Sequence, residues 1–114
     1  KAIVVDDEAP ARREMRRLLA AHDDRVVVVG DARDLATARG LLLRTRPDLV
    51  FLDIRLGKAS GFDLLEDIDE ETAVVFVTAY DDFAVQAFEA SNRYSMRNAT
   101  LVVSSLGLIL MKRW

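Results

Sequence analysis

Four short apolar runs, each followed by a segment with helical periodicity, constrain the fold of this chain more than any other feature. The runs are rich in β-branched residues, and they occupy residues 2–5, 26–29, 49–52 and 73–77. Strands that alternate with helices in this way are typical of an α/β protein with a parallel sheet. The run at 49–52 is continuously apolar, which predicts a strand buried on both faces. At 114 residues the chain has the length of one domain, residues 1–114.

The first helix is predicted to begin near Pro10, because a missing N–H costs nothing in the first helical turn. A spacing of i, i+3, i+4 and i+7 predicts one stripe of side chains that faces the core. Its members are Met15, Leu18, Leu19 and His22. We therefore expect His22, the single histidine, to have a structural or capping role.

Helix signals also follow the other three apolar runs. A second helix is predicted from about Asp34, and Pro47 closes it because the residue before a proline disfavours the helical region. Ser60 and Gly61 open a short third helix, and Asp81 caps a fourth. The second strand is predicted to end at Gly30.

Acidic side chains follow two of the predicted strands at the point where each strand ends. Asp6 and Asp7 follow the first strand, Asp53 follows the third, and Thr78 follows the fourth. In an open parallel sheet of order 2-1-3-4 the carboxyl ends of strands one and three lie side by side, where such sheets bind ligands. Three neighbouring carboxylates repel one another unless a cation neutralises them, and an oxygen-only ligand set suits Mg²⁺.

An aspartate in such a site can act as a nucleophile toward a phosphoryl group. On this hypothesis Asp53 forms an aspartyl-phosphate, and Thr78 donates its hydroxyl to a phosphate oxygen. Catalysis would then consist mainly of positioning and electrostatic stabilisation.

Four linked motifs make residues 1–90 similar to the receiver domains of two-component response regulators. The matching segments, in order and at the expected spacing, are VVDDE at 4–8, PDLVFLDI at 47–54, SGFDLL at 60–65 and VTAY at 77–80. The stretch 78–89 especially resembles receivers that precede a LytTR-type DNA-binding domain. The resemblance implies a flavodoxin-like, doubly wound parallel sheet of order 2-1-3-4-5 in a three-layer α/β/α arrangement.

The same resemblance implies a function and a set of site residues. A sensor histidine kinase would transfer a phosphoryl group to Asp53, and the domain would assist its own phosphorylation without being an enzyme. Asp7 and Asp53 would bind Mg²⁺ directly, Asp6 mainly through water, and the Arg55 main-chain carbonyl would supply another ligand. Thr78 would be the switch hydroxyl. An output surface around helix four and strand five would control transcription, with a possible homodimer through that face and no direct contact with nucleic acid.

The match weakens in residues 91–114. Receivers of this kind carry a phosphate-contacting lysine near the end of strand five, where this chain has neither lysine nor proline; Arg97 is a doubtful stand-in, since a planar guanidinium differs from a point charge. All 19 acids lie at or before Glu89, whereas residues 91–114 hold four bases. Residues 101–103 could form a strand, so the fifth strand and helix stay open. The segment either forms an altered surface that faces a dimer partner or a membrane, or is a C-terminus foreign to the receiver domain.

Two other functions compete with the phosphoryl acceptor. A degenerate receiver could act only as an interaction module, which the missing lysine favours. An aspartate-nucleophile phosphohydrolase is disfavoured, because such enzymes usually carry a second acid where this chain has Arg55. Nucleotide binding is disfavoured by the absence of glycine after strand one.

Composition narrows the remaining classes of function and cellular location. The net charge of −3 does not indicate a nucleic-acid-binding protein, and the absence of cysteine fits a reducing cytoplasm. We see no signal peptide, and the apolar residues 101–111 are too few and too interrupted to span a membrane. We therefore expect a cytoplasmic domain.

Overall fold

The computed structural model describes residues 1–78, 99–103 and 111–113. Their helices are α1 (Ala9–Ala20), α2 (Leu35–Thr45) and a 3₁₀ helix (Gly61–Asp67). Their strands are β1 (Ala2–Val5), β2 (Val28–Ala32), β3 (Leu49–Asp53), β4 (Arg55–Leu56), β5 (Ala59–Ser60), β6 (Ala73–Thr78), β7 (Ala99–Val103) and β8 (Met111–Arg113). No helix in these described ranges is long and apolar enough to cross a membrane.

The main sheet has the order β2-β1-β3-β6-β7-β8, and β4 and β5 form a separate small hairpin. The first five strands in this order are parallel. Since β6 and β7 are the fourth and fifth long strands along the chain, the order 2-1-3-4-5 that the resemblance implies is confirmed. Strand β7 begins two residues before the predicted segment 101–103. The sequence did not predict β8, which runs antiparallel to β7 and pairs Lys112 with Thr100.

One face of the sheet carries the main core. Alternate residues of β1, β3 and β6 point toward α2 and the 3₁₀ helix, and their side chains are almost fully buried: Ile3, Val5, Val50, Leu52, Val74 and Phe76. The rings of Phe62 and Phe76 meet edge to face at 5.7 Å between centroids. Since apolar burial is the dominant favourable term in folding, this layer holds the ends of β1 and β3 in place.

The opposite face, toward α1, is less completely covered. In β3 the alternate residues Leu49 and Phe51 are only half-buried, so the prediction of a strand buried on both faces holds for one face only. A cavity of about 280 Å³ lies on this side, and Met15, Phe51 and Val77 are among its lining residues.

The first helix buries less than its periodicity predicted. None of its residues is buried, Leu18 is 50% exposed, and Met15 and Leu19 are half-buried. The helix ends at Ala20, so His22 lies in the following turn and is exposed; the prediction that it faces the core was wrong. Its main-chain carbonyl accepts the N–H groups of Arg25 and Val26.

The second strand begins and ends later than predicted. Gly30 was expected to end it, yet Gly30 lies inside β2 and pairs with Ile3. A β-carbon on Gly30 would come within 2.7 Å of Leu41 Cδ1. The glycine therefore allows α2 to approach the sheet closely, and it is not a turn signal.

The predicted boundaries of the next two helices agree with the structure. Asp34 caps α2 by accepting the Thr37 N–H at 2.8 Å, and the helix ends at Thr45, two residues before Pro47. Ser60 caps the following helix by accepting the Phe62 N–H, although that helix is 3₁₀ and not α-helical. The fourth predicted helix, with its cap at Asp81, lies outside the described residues.

Candidate metal centre

Three carboxylates meet at the carboxyl edge of the sheet. Strands β1 and β3 are adjacent and in register, with Val5 opposite Leu52, so the residues that follow them converge. One carboxylate oxygen from each of Asp6, Asp7 and Asp53 lies within 4.8 Å of the other two. Asp6 and Asp53 are half-buried and Asp7 is exposed. The structure thus brings together the three acids that the sequence predicted to be neighbours.

The turn after β1 is held by three hydrogen bonds, one between main-chain groups and two that involve a side chain. The Asp6 N–H donates to the Ala32 carbonyl at 3.0 Å, which continues the pairing of β1 with β2. The Glu8 N–H donates to Asp6 Oδ1 at 2.9 Å, and Arg12 Nη1 donates to the Asp6 carbonyl oxygen at 2.8 Å. These bonds orient the acidic turn before any ligand binds.

Asp53 is fixed by the chain that follows it. The Arg55 N–H donates to Asp53 Oδ1 at 3.1 Å. Ile54 is 2% exposed, and its carbonyl accepts the Gly61 N–H at 2.6 Å. A β-carbon on Gly61 would overlap the Asp53 carbonyl oxygen, so only glycine allows this close approach.

The small β4–β5 hairpin reaches back to the acidic turn. The Gly57 N–H at its tip donates to Asp7 Oδ2 at 2.9 Å, and Gly57 adopts a φ of +63°. Sequence reasoning missed this contact. The available signal was the glycine between Leu56 and Lys58, because glycine is the usual residue where φ is positive.

The acidic cluster is electrostatically strained without a cation. Partial burial, followed by the negative charges of Asp6 and Asp7, raises the pKa of Asp53 to about 7, although the Arg55 N–H opposes the shift. Burial also raises the pKa of Asp6 from its usual value. The two carboxyls affect each other in opposite directions: Asp6 raises the pKa of Asp53, whereas a hydrogen bond with Asp53 lowers the pKa of Asp6.

This ligand set fits a hard divalent cation. Mg²⁺ prefers carboxylate, carbonyl and water oxygens, and the three acids offer oxygens only. Sulfur and imidazole ligands, which softer metals prefer, are absent from the cluster among the described residues. Arg55 lies at the start of β4 with its N–H on Asp53, and its carbonyl as a ligand remains a prediction.

Of two further predicted site residues, the structure describes the main chain of one. Thr78 ends β6, directly after Val77, which pairs with Asp53; the main chain of Thr78 is thus one strand away from the acids. The position of its hydroxyl stays a prediction. Arg97, the stand-in for the missing lysine, lies outside the described residues.

Comparisons with known proteins agree with this geometry. Residues 2–95 match the family described as the response regulator receiver domain. The transcriptional regulatory protein BtsR of Salmonella typhi is 40% identical over 91 residues, which cover 78% of this chain and 38% of that protein. The sensory transduction protein LytT of Bacillus cereus is 44% identical over 92 residues, with 78% of this chain and 37% of that protein covered.

Solved structures show the same fold. The response regulatory domain of mrkE from Klebsiella pneumoniae is 30% identical, with a TM-score of 0.68 over 79% of this chain and 75% of that one. A CheX–CheY–BeF3–Mg²⁺ complex from Borrelia burgdorferi has a TM-score of 0.75 over 92% of this chain and 78% of that one, at 21% identity. The second likeness concerns the fold alone.

The family match spans most of the chain, and the curated relatives agree with it over the same region. The chain spans less than two fifths of the length of those relatives. It belongs to the receiver domain family of two-component response regulators.

Proposed function

We propose that this receiver accepts a phosphoryl group on Asp53 from a sensor histidine kinase, with Mg²⁺ bound by the acidic cluster. The observation that carries the proposal is the convergence of Asp6, Asp7 and Asp53 within 4.8 Å at the carboxyl edge of a parallel sheet. Exposed acidic groups are common in proteins that bind no metal at them. Here two of the three are half-buried, and both have raised pKa values.

Asp53 is the best candidate for the nucleophile. Its Oδ1 accepts the Arg55 N–H, so Oδ2 is the oxygen we assign to attack on phosphorus. The new bond joins this oxygen to phosphorus, and the P–N bond to the kinase histidine breaks with its electron pair passing to the imidazole nitrogen. The attacking carboxylate must be ionised, and its pKa of about 7 makes that state costly without a neutralising charge.

Asp6, Asp7 and Asp53, together with the Arg55 carbonyl, would hold Mg²⁺. When bound, the ion offsets the negative charge of the carboxylates and of the phosphoryl oxygens. Thr78 would donate its hydroxyl to a phosphoryl oxygen. The Arg55 N–H keeps Asp53 oriented throughout, so little reorganisation is needed at the moment of transfer.

The relatives support a proposal about the role of the whole protein. BtsR is described as a transcriptional regulator and is much longer than this chain, so we propose that a region outside these 114 residues controls transcription. The receiver would be a cytoplasmic switch that assists its own phosphorylation without being an enzyme. It would make no direct contact with nucleic acid and could dimerise through the face formed by the predicted fourth helix, which lies outside the described residues, and β7.

Intact-mass spectrometry after incubation with acetyl phosphate and Mg²⁺ tests the proposal. We expect one added phosphoryl group, which disappears with EDTA and in Asp53→Asn. Asp24→Asn, a change at an exposed aspartate far from the cluster in the sequence, should leave the adduct intact. An adduct that survives in Asp53→Asn contradicts the assignment. No adduct in the unaltered chain would favour an interaction module, and steady hydrolysis of phosphate monoesters would favour a phosphohydrolase.

A further inference from the structure

We propose that Gly57 is a positioning residue for Asp7, and that its main-chain N–H holds this carboxylate in the orientation that binds Mg²⁺. The inference rests on the proposed function, since it concerns a ligand of the proposed metal site. The juxtaposition that carries it is the 2.9 Å hydrogen bond from Gly57 N to Asp7 Oδ2, which joins residues 50 positions apart in the chain.

The hairpin that presents Gly57 is anchored independently of this bond. Leu56 is 4% exposed and belongs to the core cluster, and it pairs with Ala59 across the hairpin. Arg55 pairs with Ser60, whose hydroxyl caps the 3₁₀ helix. The hairpin therefore fixes the direction of the N–H at its tip, as is required of a group that orients a metal ligand.

The conformation of Gly57, and not its size, makes it suited to this role. Its φ of +63° lies in the left-handed region, where most side chains are strained. A β-carbon there would meet no atom within 4 Å. Asparagine tolerates this conformation better than other residues and keeps the N–H, whereas proline removes the N–H and cannot adopt a positive φ.

The bond acts on the only one of the three acids that is exposed. Asp7 lacks the burial that restricts Asp6 and Asp53, so its side chain has more rotameric freedom to lose on binding a metal. A hydrogen bond to an ionised carboxylate is among the stronger kinds, and this one engages Oδ2 of Asp7. The turn thus restricts Asp7 before Mg²⁺ arrives.

Calorimetric titration of Mg²⁺ into the unaltered chain, Gly57→Pro and Gly57→Asn tests the proposal. Partners of metal ligands typically contribute about 10- to 100-fold to affinity, and we expect about a tenfold loss in Gly57→Pro. Gly57→Asn should bind within about twofold of the unaltered chain, because the N–H is retained. Unchanged affinity in Gly57→Pro, or an equal loss in both variants, would overturn the proposal.

A second readout separates positioning of the metal ligand from general damage to the domain. In the acetyl phosphate assay, the Mg²⁺ concentration for half-maximal phosphorylation of Gly57→Pro should rise by the same factor as the dissociation constant. The rate at saturating Mg²⁺ should stay close to that of the unaltered chain. A lower saturating rate with an unchanged Mg²⁺ requirement contradicts the positioning role.

If Gly57→Pro does not fold, the unaltered chain still decides the question. Its Gly57 amide should be protected from hydrogen exchange, and its resonance should shift in step with Mg²⁺ binding. An unprotected amide that does not respond to Mg²⁺ overturns the proposal. The two proposals fail differently: Mg²⁺ binding without phosphorylation contradicts the proposed function only, whereas no Mg²⁺ binding contradicts both.

Discussion

The backbone of Gly61 lies against the carbonyl of Asp53 so closely that a β-carbon on Gly61 would overlap that oxygen. The neighbouring atoms cannot simply move aside, because Ile54 is buried and its carbonyl accepts the Gly61 N–H. The start of the 3₁₀ helix and the end of β3 are thus in direct backbone contact. A change at Gly61 acts on the proposed phosphoryl acceptor without altering any acidic residue.

Gly61→Ala should destabilise the domain and slow phosphorylation of Asp53. Forcing a methyl group into a filled site costs about 1–3 kcal/mol, which a urea titration measures directly. Gly40→Ala is the matched control, because the added β-carbon meets only the flexible end of Arg44 at 3.2 Å. That change in a helix interior should raise stability by about 0.5–1 kcal/mol. Equal effects at the two glycines would contradict the backbone contact.

The stability of the metal-free domain should fall as the pH rises toward and through 7. The folded pKa of Asp53, about 7, lies above its usual value of 3.8, so the folded state binds more protons between these values. The contribution of Asp53 to stability is therefore fully present below its unfolded pKa and is lost as the pH rises through its folded pKa. Urea midpoints of Asp53→Asn in EDTA should show a smaller decline across this window. A parallel decline in both proteins would assign the pH dependence to other groups.

Asp6→Asn should move the pKa of Asp53 back toward its ordinary value. Burial is the main cause of the raised pKa and would remain, so the return should be partial; the negative charge of Asp6 is a smaller cause and would be removed. Titration of the Asp53 carboxyl carbon by NMR measures the change. A pKa of Asp53 that stays at about 7 in this variant would contradict the contribution of Asp6.

Mg²⁺ should stabilise the domain more at pH 8 than at pH 6. Ligand carboxylates must be ionised to bind a cation, so protons and Mg²⁺ compete for Asp53. A ligand that binds only the folded state adds stability that grows with its concentration relative to its dissociation constant. Thermal melting with Mg²⁺ and with EDTA at both pH values measures the effect. Ca²⁺ and Na⁺ serve as ion controls, and a stabilisation independent of pH would contradict the competition.

Gly30 and Leu41 should show strong coupling in a double-mutant cycle. Gly30→Ala places a β-carbon 2.7 Å from Leu41 Cδ1 and should cost about 1–3 kcal/mol. Leu41→Ala removes a side chain that is 6% exposed and should cost about 2–5 kcal/mol. In the double variant the methyl group added at position 30 occupies space vacated by Leu41, so the combined loss should be smaller than the sum by about 0.5–3 kcal/mol. Additive losses would show that the two positions do not share a packing site.

The parallel sheet was predictable because it depends on a pattern that the sequence displays directly, whereas its strand order was implied by the resemblance to receiver domains. Apolar runs followed by helical periodicity favour parallel strands with helical crossovers, and acids at the ends of such runs then converge. Asp53 could therefore be located as a candidate from its place after residues 49–52. The start of α2 near Asp34 was predictable for a local reason, since the Asp34 side chain accepts a main-chain N–H three residues away.

Features that depend on contacts between distant segments were not predictable. Gly30 looks like a strand terminator in the sequence, but its role is set by Leu41, which comes from a different element. The stripe on α1 follows the correct period, yet the period does not show how completely the sheet covers it. The glycine at position 57 signals a turn, but nothing local shows that its N–H donates to a residue 50 positions earlier.

The exposed tip of the β4–β5 hairpin also offers a place to attach a reporter. Lys58 follows Gly57 there and is exposed, and the chain contains no cysteine that would compete for a thiol-reactive dye. A single cysteine introduced by Lys58→Cys would carry a fluorophore one residue from the bond to Asp7. Such a labelled domain would signal occupancy of the acidic cluster in real time and leave every carboxylate in place.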